Sequence, residues 1–241
     1  MLKSFKRLCR LALERSPYRL HKWLPGSRLS AARLGLMMAR SIVPQDRPVR
    51  LVQVGACDGI LDDPLDGCFG RDDITALLVE PAPAAFAELE TLYRDRRNVQ
   101  TVRCAIAAAD GNMKLFVVKN DGRWKGDTRT KLWASLNRRH LLRMGVLEQE
   151  IESIDIPTMT LGSLYEHMDW KGTDFLFVDT EGSDAVVVRQ ALGMTPPPAV
   201  IVFENVHLFY GDTQSLFQEL DTRGYLWIHD GMNSLCVHDQ R

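Results

Sequence analysis

The chain predicts an α/β protein built on a doubly wound, mostly parallel sheet. Three observations carry that expectation. Short apolar runs recur at 51–54, 76–79, 99–106, 175–178 and 199–203, with helical patterns between them. The first run, Leu51-Val-Gln-Val-Gly-Ala-Cys-Asp-Gly59, breaks abruptly into a turn carrying Gly55 and Gly59. Several later runs end in an acid: Glu80, Asp179 and Glu204. In open parallel sheets ligands sit beyond the carboxyl ends of the strands, so these residues share one rim.

Length and composition bound the answer. At 241 residues the chain has room for one large α/β domain and a small appendage. Its 45% hydrophobic and 25% charged content is that of an ordinary globular protein. Five cysteines are scattered, odd in number and without a C-x-x-C pair. That argues against a disulfide framework or zinc-thiolate site and fits a reducing, cytoplasmic setting. The net charge of −1 hides an asymmetry: residues 1–50 carry twelve Lys/Arg against Glu14 and Asp46, so the remainder is strongly acidic. An acidic body argues against nucleic acid lying across it.

Residues 1–47 read as a basic, helical N-terminal extension, and 48–241 as the α/β domain. In residues 1–15 Leu2, Phe5, Cys9 and Ala12 share a helical face, with Lys3, Lys6, Arg7 and Arg10 around it. Arg10, Glu14 and Arg15 interrupt the apolar run, so it is not a signal peptide. No stretch reaches the roughly 18 apolar residues of a membrane span. Two readings stay open for the head, residues 1–42. One packs it on the domain or a partner subunit, a second copy included; the other lays it on an anionic membrane surface at the inner face. A second helix is expected from about Ser30 to Ile42, and the boundary at Pro44 to Pro48.

Within the domain, Pro83 to Arg96 reads as a helix with Phe86, Leu89 and Leu92 on one side. Val99 to Ile106 and Met113 to Val118 read as strands. Lys119 to Ser135 is polar and long, the pattern of a lid or binding loop, and holds Trp124 and Trp133. Asn137 to Leu147 reads as a helix, Pro157 to Thr160 as a short extended piece and Leu161 to His167 as a helix. Ser183 is placed to cap a helix running to Leu192, and Thr213 to Thr222 is a helix that Gly224 stops. Tyr225 to His229 and Ser234 to His238 read as an antiparallel hairpin closing the sheet.

Strand, glycine turn, strand and Glu80 together point to an adenosine-containing cofactor, because a carboxylate there accepts hydrogen bonds from ribose hydroxyls. The dinucleotide fingerprint G-x-G-x-x-G fails, since Cys57 stands two residues after Gly55, and no P-loop occurs. A looser glycine turn of this kind suits S-adenosylmethionine, which has no pyrophosphate to seat.

These pieces also carry a resemblance. Val54-Gly-Ala-Cys-Asp-Gly59, Asp63-Pro-Leu65, Val79-Glu-Pro81, Ala105-Ile106 and Ala134-Ser135-Leu136 recur in order. Leu176-Phe-Val-Asp179-Thr-Glu-Gly182-Ser-Asp184 and Phe203-Glu204-Asn-Val-His207-Leu208 follow them. The set resembles the FkbM family of S-adenosylmethionine-dependent methyltransferases from about residue 50 to 238. Cys57 departs from the usual Asn, and Asp184 follows a Ser rather than an aromatic residue. The resemblance implies the class I methyltransferase (Rossmann-like) fold, with a seven-stranded, mostly parallel sheet. It also implies O-methylation, often on sugar or natural-product hydroxyls. It assigns cofactor binding to Gly55, Ala56, Asp58, Gly59, Glu80, Pro81, Ala105, Ile106 and Asp179. The catalytic candidates are Asp179, Glu181, Glu204 and His207, and the substrate-loop candidates Trp124, Trp133 and Ser135.

Two other classes stay in view. One is an NAD(P)-dependent oxidoreductase on a Rossmann-type sheet. The other is a non-catalytic scaffold of a membrane-associated glycan-assembly system. The chemistry of the methyl acceptor raises one further question. A sugar hydroxyl holds its proton too tightly for a lone carboxylate to remove it before transfer. Asp179, Glu204 and Asn205 offer an all-oxygen set that would suit Mg²⁺ or Ca²⁺; the competing expectation is a metal-free base.

Overall fold

The computed structural model describes residues 30–70, 72–208 and 210–239. The helix expected at 1–15 lies outside them. Among the described residues no helix is long and apolar enough to cross a membrane.

The main sheet has seven strands: β1 (Val49–Val54), β2 (Ile74–Val79), β3 (Val99–Val102), β7 (Phe175–Val178), β8 (Val200–Glu204), β9 (Tyr225–His229) and β10 (Asn233–His238). Their order is β3-β2-β1-β7-β8-β10-β9. The first five pair in parallel, and β10 runs antiparallel to both β8 and β9. The expected closing hairpin is therefore present, and the doubly wound sheet is the one the apolar runs predict.

Strict alternation explains why both faces are covered. Leu51, Ala76, Leu78, Phe175, Phe177, Val200 and Val202 point to one side. Val52, Val54, Leu77, Val79, Leu176, Val178, Ile201 and Phe203 point to the other. Buried β-branched and aromatic runs of this kind need helices on each face. The first face is covered by α1 (Ala31–Ile42) and α2 (Pro83–Tyr93). The second is covered by α4 (Leu161–His167), α5 (Asp184–Leu192) and α6 (Tyr210–Thr222).

Helix α1 starts where Ser30 accepts a hydrogen bond from the Arg33 N–H through its side chain. It presents Ala31, Ala32, Leu36, Met38 and Ala39 to the sheet. Gly35 allows close approach, since a Cβ there would stand 2.9 Å from Val202 Cγ2. The segment expected as an extension before residue 48 thus contributes its second helix to the core.

Several local expectations are corrected. Val99–Ile106 is not one strand: it breaks at Arg103-Cys104, and β4 (Ala105–Ile106) joins a separate three-stranded sheet, β4-β6-β5. In that sheet β5 (Gly111–Val118) pairs antiparallel with β6 (Ile151–Met159), so Met113–Val118 is no part of the parallel array. The short piece at 157–160 is the end of this long strand. Exposed Glu152 and Asp155 hid its start, because the small sheet buries one face only. The helix expected at 137–147 is the single α3 (Arg138–Arg143), ended by Gly145 at a φ of 83°. Helix α6 begins three residues early, at Tyr210. Leu92 is 40% exposed; Ala85, Leu89 and Tyr93 form the buried side of α2. Ser183 holds the N-cap position of α5 but makes no side-chain cap bond. Instead Thr180 Oγ1 donates to Asp184 Oδ2 at 2.8 Å.

Met38 is fully buried between α1 and the sheet. Met38→Ala is expected to cost about 2–4 kcal/mol in urea unfolding, the range for emptying a core methionine site. A loss under about 0.5 kcal/mol would show that α1 does not belong to the cooperative core.

Candidate active site

Register places the rim. Val54 pairs with Val79 on one side and Val178 on the other, and Val178 pairs with Phe203. The next residues, Gly55, Glu80, Asp179 and Glu204, therefore leave four neighbouring strands together. Across β2-β1-β7-β8 three strand spacings separate Glu80 from Glu204 by about 14 Å. Over this edge lies a cavity of about 420 Å³, in the range of small-molecule sites.

The β1–β7 junction is tight. Gly55 has φ +87°, and a Cβ there would fall 1.7 Å from the Asp179 carbonyl oxygen. No other residue type fits. Gly59, also at positive φ, faces Leu89, Leu92 and Tyr93 of α2 rather than the cavity. Its role is to let the turn pack on the helix. Asp58 is turned inward too: its Oδ1 accepts from the Ile60 and Leu61 N–H groups, and it does not line the cavity. Among the cofactor candidates, Gly55, Ala56, Glu80, Pro81, Ala105, Ile106 and Asp179 do line it.

Glu80 is 5% exposed, and its two oxygens accept from the backbone N–H groups of Ala82 (2.8 Å) and Cys57 (2.9 Å). Each carboxylate oxygen keeps a second lone pair for a further donor. Burial pushes Glu80 up to about 7, against those two bonds. Cys57 sits at φ +48°, a left-handed conformation that a Cβ disfavours.

At the other end lie the acids of β7 and β8. Asp179 is pushed up to about 8 by burial, then by Asp184 and Glu181. Glu204 is pushed up to about 9 by burial, then by Asp179, Glu181 and Asp184. Glu181 has φ +54°, a strained backbone of the kind concentrated at functional sites. His207 Nε2 stands 3.5 Å from both Glu181 Oε2 and Glu204 Oε2. Burial lowers the pKa of its imidazole, favouring the neutral ring.

The four catalytic candidates are therefore neighbours, but the expected oxygen set for a hard cation is not assembled. Asn205 turns its amide away, to Ser234 Oγ at 2.8 Å and His229 Nδ1 at 3.2 Å, and is outside the cavity lining. The acid that joins Asp179 and Glu204 is Glu181.

Sequence reasoning missed His140. It lies on α3, is 4% exposed, and its Nε2 is 2.7 Å from Glu181 Oε2. Its ring stands edge-on to His207, centroids 4.4 Å apart. The signal was the helical spacing Asn137, His140, Leu141, Met144, which puts His140 on the inward face beside Leu141.

The polar stretch 119–135 holds two short 3₁₀ turns, Gly122–Trp124 and Thr128–Trp133. Trp133 lines the cavity, whereas Trp124 does not and packs edge-on against Trp133 at 5.2 Å. Ser135 is also outside the lining: its backbone pairs with Phe116, and its hydroxyl donates to the Glu181 carbonyl at 2.8 Å. Lys131 reaches over the rim to Glu88 at 2.6 Å.

The sheet order, with its antiparallel final strands and a cavity over the parallel strand ends, is that of a class I methyltransferase. Residues 53–226 match the methyltransferase FkbM domain, and the chain belongs to that family. No curated protein sequence matches it. Among solved structures, the FkbM methyltransferase of Methylobacillus flagellatus is similar at 11% identity and TM-score 0.48, over 96% of this chain and 58% of that one. Aeropyrum pernix fibrillarin with natively bound S-adenosyl-L-methionine is similar at 13% identity and TM-score 0.44, over 88% and 84% of the two chains. An SAH-bound methyltransferase of Podospora anserina gives 15% identity and TM-score 0.42, over 96% and 86%.

The raised carboxyl of Glu80 has a sign that can be measured. Its folded-state pKa lies above the ordinary 4.5, so the folded form holds the proton more tightly. The associated stability is present at low pH and is lost as pH rises through about 7, by about 3 kcal/mol at most. Thermal unfolding of the ligand-free protein should shift to lower temperature between pH 5 and 8, and less steeply in Glu80→Gln. An identical slope in the variant would show that Glu80 is ionised throughout.

Proposed function

We propose that the protein transfers a methyl group from S-adenosylmethionine to a hydroxyl oxygen of a sugar, glycan or natural-product acceptor. One observation carries the reading: a single cavity has a buried ribose-type carboxylate over β2 and a cluster of proton-accepting groups about 14 Å away over β8. The residues fit the cofactor. Glu80 has lone pairs left for two vicinal hydroxyls, and Ala105 and Ile106 supply an apolar wall in the same cavity.

When bound, the cofactor supplies a methyl group already activated on a sulfonium. What remains for the chain is alignment and removal of a proton. Asp179 lies between the two ends of the rim and is poised to take the proton of the acceptor hydroxyl as the carbon–oxygen bond forms. Pushed up to about 8, Asp179 is a stronger base than an ordinary carboxylate, and it becomes available as one as pH rises through that value. Trp133 offers a flat apolar face at the cavity wall against which a sugar ring could lie.

Calorimetric titration tests the cofactor. S-adenosylhomocysteine is expected to bind and NAD not to. Glu80→Ala should weaken the binding by about 1.5–3 kcal/mol, the range for losing a charged hydrogen-bond partner. NAD binding in place of S-adenosylhomocysteine would favour the oxidoreductase reading. Incubation of candidate hydroxylated acceptors with labelled cofactor then tests the reaction. Label on nitrogen or carbon only would overturn O-methylation.

A further inference from the structure

We propose that His140, Glu181 and His207 bind a divalent transition-metal cation of the zinc class at the acceptor end of the cavity. The inference rests on the methyl-transfer reading for its role, but not for its existence. The donor atoms of the three residues lie within 4.8 Å of one another. They come from separate parts of the chain: α3, the turn after β7, and the turn after β8.

The site is built rather than a surface cluster. His140 is 4% exposed, and Glu204, beside His207, 7%. His140 Nε2, Glu181 Oε2 and Glu204 Oε2 are all buried without a hydrogen-bond partner. The 2.7 Å approach of His140 Nε2 to Glu181 Oε2 lacks the angle of a hydrogen bond. Buried polar atoms left unpaired are costly, and two of the three proposed ligand atoms, His140 Nε2 and Glu181 Oε2, are such atoms and call for a shared partner. Two imidazole nitrogens and a carboxylate oxygen gathered within 4.8 Å of one another can present lone pairs to a cation.

The spacing fits. Donors about 2.1 Å from a tetrahedral ion stand about 3.4 Å apart. His207 Nε2 is 3.5 Å from Glu181 Oε2 and also 3.5 Å from Glu204 Oε2. The His140–Glu181 pair, at 2.7 Å, must open by under an ångström. Two histidines select against Mg²⁺ and Ca²⁺, which take oxygen ligands, and favour a zinc-class ion. Two histidines and one glutamate form a three-ligand set with an open fourth position, the pattern of catalytic rather than structural zinc. Glu181 and His207 line the cavity, so that position faces the acceptor. There the ion polarises the acceptor hydroxyl, whose proton passes to Asp179.

The test uses the full chain, stripped with chelator and titrated with Zn²⁺ against a competing dye, and separately with Co²⁺ followed by visible absorption. One equivalent of each is expected, with Co²⁺ giving the intense bands of a four-coordinate site. His140→Ala and His207→Gln should each weaken Zn²⁺ binding roughly 100-fold or more, since even supporting residues around a metal account for 10–100-fold. If His140→Ala does not fold, the partly exposed His207→Gln carries the test alone. No stoichiometric ion in the wild-type chain, or binding unchanged in His207→Gln, overturns the proposal. Titration of the same samples with S-adenosylhomocysteine separates the two readings. Retained cofactor binding without metal sinks only the ion; metal binding without cofactor affinity sinks only the methyl-transfer reading.

Discussion

The contact between Gly55 and the Asp179 carbonyl organises the whole rim. Parallel strands β1 and β7 end side by side there. The Gly55 N–H donates to Val79 and the Asp179 N–H to Val54, each at 2.9 Å. Any side chain at Gly55 would drive these ends apart. Because the junction is closed, the chain after β1 must turn away over β2 and the chain after β7 over β8. One turn delivers Cys57 N to Glu80, and the other delivers Glu181 to the two histidines. The two halves of the cavity are opposite consequences of one backbone contact.

Much of this was legible in the sequence because parallel strands buried on both faces leave a plain signature. Ala76–Val79, Phe175–Val178 and Val200–Phe203 are continuous apolar runs, Leu51–Val54 is one broken only by Gln53, and each stops where the chain reaches the rim. The acid after a run is then placed by register alone, which is why Glu80, Asp179 and Glu204 could be read correctly as neighbours on one rim. The small sheet was not legible for the complementary reason. Met113–Val118 reads as a strand, but the exposed charged residues at the start of Ile151–Met159 resemble a loop, and the pairing that makes a separate sheet spans some thirty residues.

The site was misread where a side chain's direction, not its position, decides the matter. Asp58 and Gly59 sit in the glycine turn yet face the protein, one holding backbone N–H groups and the other packing on α2. Asn205 follows Glu204 directly, but alternation along the extended chain sends it to the opposite side, towards β9 and β10. Cys57 shows the converse. The turn demands a left-handed residue there, a conformation asparagine tolerates better than cysteine. The departure from the family pattern thus carries a backbone cost, while the N–H at this position still donates to Glu80.

The small sheet has a purpose that the parallel sheet cannot serve. A rim built only from strand ends supplies carboxylates and backbone groups along a line. It does not supply a second wall. The β5–β6 pair carries that wall: Ser135, bridged to Phe116, hooks its hydroxyl onto the Glu181 carbonyl. The same hydroxyl accepts the Asn137 N–H at 3.0 Å, at the start of α3. A single serine therefore ties the turn bearing Glu181 to the start of the helix bearing His140. That tie matters for methyl transfer, which depends on positioning rather than on a nucleophile of the protein. Ser135, expected in the sequence among the substrate-loop residues, lies outside the cavity lining and holds the Glu181 turn from behind.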